Sequence, residues 1–287
     1  MVLPFYLLFI LFVVVPVVVA FVLSFTQYNM IQSPTFTGTH NYIKLLLDDK
    51  VFWKAVSNTL VFAVIVGPLG YFMSFFAAWV LNNLKFRNLF ALAFYAPSIC
   101  SGIAMSTIWL YFFSSDRYGL INNFLINLGI INEPILWTQD PEYILPVIII
   151  ISVWMSMGNG FLVFLAGLQN VDKTLYEAAY IDGMRSKWQE LKFITLPQMK
   201  PQLLFGAINV VTNSFGVFDI AVSVSGLPSP NYAGHTIVAH LYDYAFIRSE
   251  MGYACSIATI LFTITFVIGR ILMYALSVHD NPKRRSL

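Results

Sequence analysis

The chain has 287 residues, 58% of them hydrophobic, 16% aromatic and only 10% charged, with a mean hydropathy of +0.73. Soluble domains carry about 25% charged residues, so this chain lacks the charge to cover a water-facing surface and reads as a polytopic membrane protein. The formal net charge of +2 says nothing about nucleic acid, but there is no basic tract of interleaved aromatics and no nucleic-acid partner is expected; Cys100 and Cys255 both sit in apolar runs and read as small buried hydrophobes, not as a disulfide or metal framework.

A bilayer core takes about 20 apolar residues in a helix. Such windows run over 2–25, 56–82, 87–113, 143–168, 200–224 and 253–277, which predicts an all-α fold of six spans. The first window lacks a basic n-region and is longer than a signal peptide's apolar stretch, so it reads as a span. Pro16, Pro68, Pro97 and Pro146 lie inside or at the edges of these windows. Proline is tolerated there when neighbours satisfy the freed carbonyls. The third window has Pro97, Ser98, Ser101 and Gly102 at its centre and is expected to break there. Six spans put both termini on one side. Lys85, Arg87, Lys173, Arg185, Lys187, Lys192, Lys200, Arg270, Lys283, Arg284 and Arg285 fall on that side. Only Lys44, Lys50, Lys54, Arg117 and Arg248 fall on the other. The excess of Lys and Arg predicts that both termini are cytoplasmic.

Between the fourth and fifth windows stands a densely charged stretch, LYEAAYIDGMRSKWQELKFITLPQMKP, from Leu175 to Pro201. Its helix formers predict a cytoplasmic helix, with Tyr176, Ala179, Tyr180 and Gly183/Met184 making a small and aromatic face at helical spacing. Glu177 is expected near the helix start, where a carboxylate suits the macrodipole. Gly183 permits a tight reversal, and Pro197 and Pro201 mark re-entry into the membrane. A solvated connector is the plain reading of such a loop. Two alanines and a glycine, however, leave a flat surface suited to docking another protein.

Glu177-Ala178-Ala179, Gly183 and Ile194-Thr195-Leu196-Pro197 resemble the E-A-A…G…I-x-L-P signature of permease subunits of binding-protein-dependent ABC importers, and Asp182 makes it similar to the sugar-type form. Ten residues, Met184 to Phe193, separate Gly183 from Ile194, where the family usually has nine. The likeness extends to SFTQYNMIQSPTFTGTHNYIKLL (24–46), FWKAVSNTLVFA (52–63), the Pro-containing run 96–122, and HLYDYAF with MGYACSIATIL (240–261). Over 223–236 only Gly226, Pro228 and Thr236 of the family's turn are kept. The resemblance implies a single permease domain over 1–287 of the type I importer fold. It has a first helix at 2–25, core helices over about 56–277 and a coupling loop at about 170–197. It also implies a coupling surface of Glu177, Ala178, Ala179, Asp182, Gly183 and Met184 for two cytoplasmic ATP-binding cassette subunits. A second permease subunit would complete the path, an extracellular binding protein would deliver the solute, and the cell membrane would be the setting. The sugar-type form points to a mono- or oligosaccharide, or else another polyol or a glycerol phosphate.

The chain has no G-x-x-x-x-G-K-[ST], so ATP and its Mg²⁺ would be held by partners and this chain would bind no cofactor. Polar residues in spans face cavities or partner helices. Trp154, Asn159, Asn209, Asn213 and Asp219 are the candidates for the solute path, with Asn209 and Asn213 on one helix face. Hydrogen-bonding glue between helices is the plain alternative for each. His40, His235, His240 and His279 lie in loops or near a terminus; His240 and Asp243, three apart on a possible outer helix, are too few for a metal site and are expected at the surface, and no H-E-x-x-H or G-x-S-x-G occurs. A secondary transporter would need intramembrane ionisable groups, and only Asp219 qualifies. A membrane-embedded enzyme has no catalytic constellation here.

Overall fold

A computed structural model describes residues 2–82, 84, 87–100 and 102–277, leaving aside the side chains at 87–90, 93, 97, 103 and 159. In chain order the helices are α1 (Leu3–Leu23), α2 (His40–Ile43), α3 (Lys50–Asn82), α4 (Arg87–Ile99), α5 (Gly102–Phe112), α6 (Leu120–Asn127) and α7 (Pro141–Gln169). They continue as α8 (Lys173–Ile181), α9 (Lys187–Glu190), α10 (Lys200–Phe215), α11 (Asp219–Ser225), α12 (Ile237–Tyr242) and α13 (Met251–Ser277). One two-residue antiparallel pair, β1 (Thr26–Gln27) with β2 (Thr35–Phe36), matches Thr26 to Phe36.

Five stretches among the described residues are long and apolar enough to cross a membrane: 3–23, 50–82, 141–169, 200–225 and 251–275. The window at 87–113 is broken as expected: α4 ends two residues after Pro97, Cys100 is a bend and α5 begins at Gly102. The window at 200–224 corrects the expectation of one continuous span. Its helix stops at Phe215 and resumes at Asp219. Thr236 Oγ1 donates to the Val217 carbonyl at 3.0 Å, satisfying a group that the break frees. In α1 the backbone widens to a π-turn over Ile10–Val14, just before Pro16. Proline has no N–H for the carbonyl four residues back and its ring crowds that carbonyl, so the turn opens. No residue of α1 is buried. A helix apolar all round and exposed along its length belongs in lipid.

The chain divides into two compact units. The first comprises 1–61, 110–148 and 215–267, and its core is built on Leu45, Phe52, Ala55, Ile237, Tyr253 and Ile257. The second comprises 62–109, 149–214 and 268–287, with Phe161, Phe164, Leu168, Ile194 and Met199 at its centre. In the second unit small residues let helices approach closely. A Cβ at Gly158 would lie 2.8 Å from Ser98 Oγ and one at Gly160 would lie 2.9 Å from Ser74 Oγ; one at Gly70 would overlap Ser156. Without a hydrophobic drive between helices in lipid, such close van der Waals contact is what holds them. In the first unit, Asn122 is fully buried. Its amide donates to the carbonyls of Ser114, Asp116 and Ile135 and accepts from Ile135 N–H and Trp137 Nε1. This anchors α6 and the loop after it. Cys255 is buried, but Cys100 is exposed, correcting its reading as a buried hydrophobe.

Candidate functional site

The charged loop folds as a rigid, self-capped piece of the second unit. Asp172 caps α8, accepting from Thr174 N–H at 2.9 Å. Glu177 therefore sits in the second turn of the helix and not near its start, because the chain already turns helical at Lys173. Asp182 ends the helix and Gly183 follows with φ +91°, in the left-handed region that glycine enters without strain. Gly183 N–H donates to the Tyr180 carbonyl at 3.2 Å and Met184 N–H to that of Ala179 at 2.9 Å. This pair of bonds is a Schellman closure.

The second half of the loop is tied back onto α8. Tyr180 O–H donates to Glu190 Oε1, and Lys187 Nζ donates to Glu190 Oε2 at 3.0 Å and to Tyr180 Oη at 3.1 Å. Those bonds, to Tyr180 first and Glu190 second, hold the Lys187 ammonium above its ordinary pKa. Tyr176 Oη and Thr195 Oγ1 are 2.9 Å apart. Ser186 N–H donates to Gln189 Oε1 at 3.3 Å where α9 begins. A π-turn at Leu191–Thr195 then leads into Pro197. A π-turn holds one residue more than an α-turn, so it takes up length within the ten-residue interval before Ile194.

This geometry sorts the candidate coupling residues. Tyr176, Ala179 and Met184 pack against the core of the second unit. The small and aromatic face expected to be free is therefore largely the inward one. Glu177, Ala178, Asp182 and Gly183 are exposed. Among them stands Ile181, 87% exposed, which the sequence reading missed. Nothing in the sequence marks it, because which face of α8 is covered depends on the core beneath.

Among the candidate path residues, Trp154 is exposed and its ring meets Trp109 edge-on at 5.2 Å. Asn209 and Asn213 are both exposed on α10, and Asn209 Nδ2 donates to its own helix at Phe205 O, 3.1 Å away. Phe205, exposed one turn earlier, extends that stripe. Among the described residues neither amide hydrogen-bonds to another helix. Asp219 is exposed in the first turn of α11, beyond the break that ends α10. The side chain of Asn159 lies outside the described residues. Ser156 meets Gly70 and thus serves packing.

His240 and Asp243 overturn a sequence expectation. Both are buried, not at the surface, and His235 is buried beside them. His240 Nε2 lies 2.9 Å from Asp49 Oδ2 and its Nδ1 lies 3.1 Å from His235 Nε2. Asp49 also accepts from Tyr253 O–H at 2.8 Å and from Phe52 N–H at 2.9 Å. These hydrogen bonds, that of His240 foremost, outweigh burial and hold the Asp49 carboxyl well below the usual carboxylate range. Asp243 pairs instead with Arg248 at 2.8 Å. Asp49, the partner of His240, lies 191 positions away in sequence, so no local spacing announced that pair. Among the described residues no three His, Cys, Asp or Glu side chains converge to hold a metal.

Comparisons agree with this picture. The family described as binding-protein-dependent transport system inner membrane component matches residues 67–284. The lactose transport system permease protein LacF of Rhizobium radiobacter is 34% identical over 269 residues, covering 92% of this chain and 88% of that protein. The arabinooligosaccharides transport system permease protein AraP of Bacillus subtilis (strain 168) is 31% identical over 274 residues, covering 93% and 84%. A crystal structure of a bacterial ABC transporter involved in the import of the acidic polysaccharide alginate shares the fold. It has a TM-score of 0.82 and 21% identity, covering 98% of this chain and 95% of that one. With a family match over most of its length, on an α-helical frame of long apolar helices, the chain belongs to the inner membrane components of binding-protein-dependent transport systems.

Proposed function

We propose that the chain is one of two permease subunits of an ATP-driven carbohydrate importer, with both termini and the 170–197 loop in the cytoplasm. The observation that carries this reading is the free face of α8. Glu177, Ala178, Ile181 and Asp182 are exposed on a short helix whose other face packs on the core and whose end is closed by Gly183. A rigid helix presenting one apolar side chain ringed by small and acidic groups suits a groove in a cytoplasmic ATPase subunit. ATP and Mg²⁺ would stay with two such subunits, and this chain would bind neither. The names of the lactose and arabinooligosaccharide relatives support a sugar or short oligosaccharide as solute. A second permease subunit would face the exposed stripe Phe205, Asn209 and Asn213 of α10. With Trp154, that stripe offers ring faces and amides suited to sugar C–H faces and hydroxyls. The charge distribution supports the orientation. Lys85, Arg87, Lys173, Arg185, Lys187, Lys192, Lys200, Arg270, Lys283, Arg284 and Arg285 fall on the side assigned to the cytoplasm by the order of the apolar windows, and Lys44, Lys50, Lys54, Arg117 and Arg248 on the other.

The test is Ile181→Asp in the importer assembled with its ATPases and binding protein. Uptake and co-purification of the ATPases should both fall at least tenfold while the permease stays folded. Undiminished ATP-dependent uptake would refute the docking role. For the path, Asn209→Ala and Asn213→Ala should raise the KM for solute about tenfold and leave the ATPases bound.

A further inference from the structure

The buried His235–His240–Asp49 ladder has a proton count that its surroundings constrain. Asp49 accepts from His240 Nε2–H, so His240 Nδ1 is a lone pair that accepts from His235 Nε2–H at 3.1 Å. That leaves His235 Nδ1 as a bare nitrogen, buried and without a partner. One further proton cannot be held in this arrangement without cost. On His240 Nδ1 it forces His235 to accept at Nε2 and to carry its own proton at Nδ1. On His235 it sits at Nδ1 directly. Either way a buried N–H points at no acceptor, which is the expensive kind of unmade hydrogen bond.

The groups facing the pair come from every neighbouring element. Asp49 precedes α3, and Tyr232 meets the His235 ring from within its own segment at 5.3 Å. Asp243, Tyr244 and Arg248 follow α12, and Tyr253 comes from α13. Beyond them Lys44 lies over the Tyr253 ring and pairs with Glu250 at 3.1 Å. Burial, with the neighbouring His240 adding to it, pushes His235 down to about 4. The backbone around His235 is pinned to the first turns of α3. Asn58 Nδ2 donates to the carbonyls of Tyr232 and His235 at 2.9 and 3.0 Å, and Lys54 Nζ donates to that of Asn231 at 2.6 Å. Thr59 Oγ1 accepts from Ile237 N–H at 3.0 Å.

We propose that His235 and His240 form a proton-binding site that clamps the segment 229–236 onto the start of α3 when empty and releases it when filled. The proton relieves itself only by letting His235 reach water, which withdraws the carbonyls that Asn58 and Lys54 hold. The segment joins α11 to α12, so the release frees the connection between these two helices. Since the folded value lies below the ordinary histidine value of about 6.5, the clamped state binds fewer protons than the open one. Clamping is therefore complete above about pH 6.5 and is lost as pH falls from there toward 4.

Amide hydrogen exchange on the assembled importer in lipid nanodiscs between pH 5 and 7.5, corrected for intrinsic rates, reads this directly. Peptides covering 229–240 should exchange at least tenfold faster at pH 5, while α13 stays unchanged. His235→Gln keeps an N–H donor toward His240 Nδ1 but cannot titrate, and should flatten the profile to within twofold. Tyr253→Phe removes one donor from Asp49 without touching either ring, so the carboxylate draws the proton harder and the midpoint should rise. A flat wild-type profile, a tenfold change surviving in His235→Gln, or an unmoved midpoint in Tyr253→Phe each overturns the proposal. If His235→Gln does not fold, His240→Gln and the Tyr253→Phe midpoint decide it.

Discussion

Gly183 has φ +91° and carries the two bonds that close α8. A Cβ there meets nothing within 4 Å, so the cost of a side chain is conformational and not steric. Left-handed backbone costs an L residue about 1–2 kcal/mol. Gly183→Val should therefore loosen the loop and raise tryptic cleavage at Arg185 and Lys187 severalfold, with the spans intact. Asp49 is the opposite kind of position, where the side chain decides everything. An asparagine there has one acceptor oxygen for donors that come from His240, Tyr253 and Phe52. Asp49→Asn should cost about 2 kcal/mol, the scale of an unsatisfied buried group, seen as a lower thermal midpoint at pH 7. The wild-type contribution is present above the ordinary carboxylate value and is lost only as pH falls well below it, because the folded value is depressed.

Elements in this chain are shaped by what their small residues permit. Gly70 on α3 faces Ser156 on α7, and Gly160 on α7 faces Ser74 on α3, so the two helices interlock by small residues contributed from both sides. Gly70→Leu drives a branched side chain into Ser156 with no room to move, and overpacking of this kind costs about 1–3 kcal/mol. The yield of folded permease should drop, whereas Gly269→Leu, where nothing lies within 4 Å, should leave it unchanged. Helix α8 shows why an element's two faces have to be separated before a motif is interpreted. The E-A-A run spans both, with Ala179 on the core and Glu177 and Ala178 exposed. Periodicity identified the helix, but which face was free depended on what lay beneath it. Likewise the apolar window at 200–224 promised one helix. The structure makes it two, with the Thr236 hydroxyl donating to the Val217 carbonyl in the break.

For the whole molecule the proposed orientation is tested by thiol labelling in intact cells. A cysteine placed at Lys192 should resist a membrane-impermeant reagent until the cells are opened, and one placed at Asn29 should react from outside. The reverse pattern would invert the topology. Membrane class, the places of the long helices, the broken third window and the E-A-A loop were legible in the sequence. Apolar length, proline position and short-range spacing are local properties, and the bilayer imposes few alternatives on a chain so poor in charge. Only the tertiary structure decided which side of α8 is covered, that the exposed apolar residue is Ile181, and that the helix carrying Asn209 and Asn213 stops before Asp219. It alone buried His235 and His240 against Asp49, residues 191 positions apart in the case of the closest pair. The physical reason is the same throughout. A residue's exposure and its hydrogen-bond partners are set by segments that arrive from elsewhere in the chain, and no local pattern carries that information.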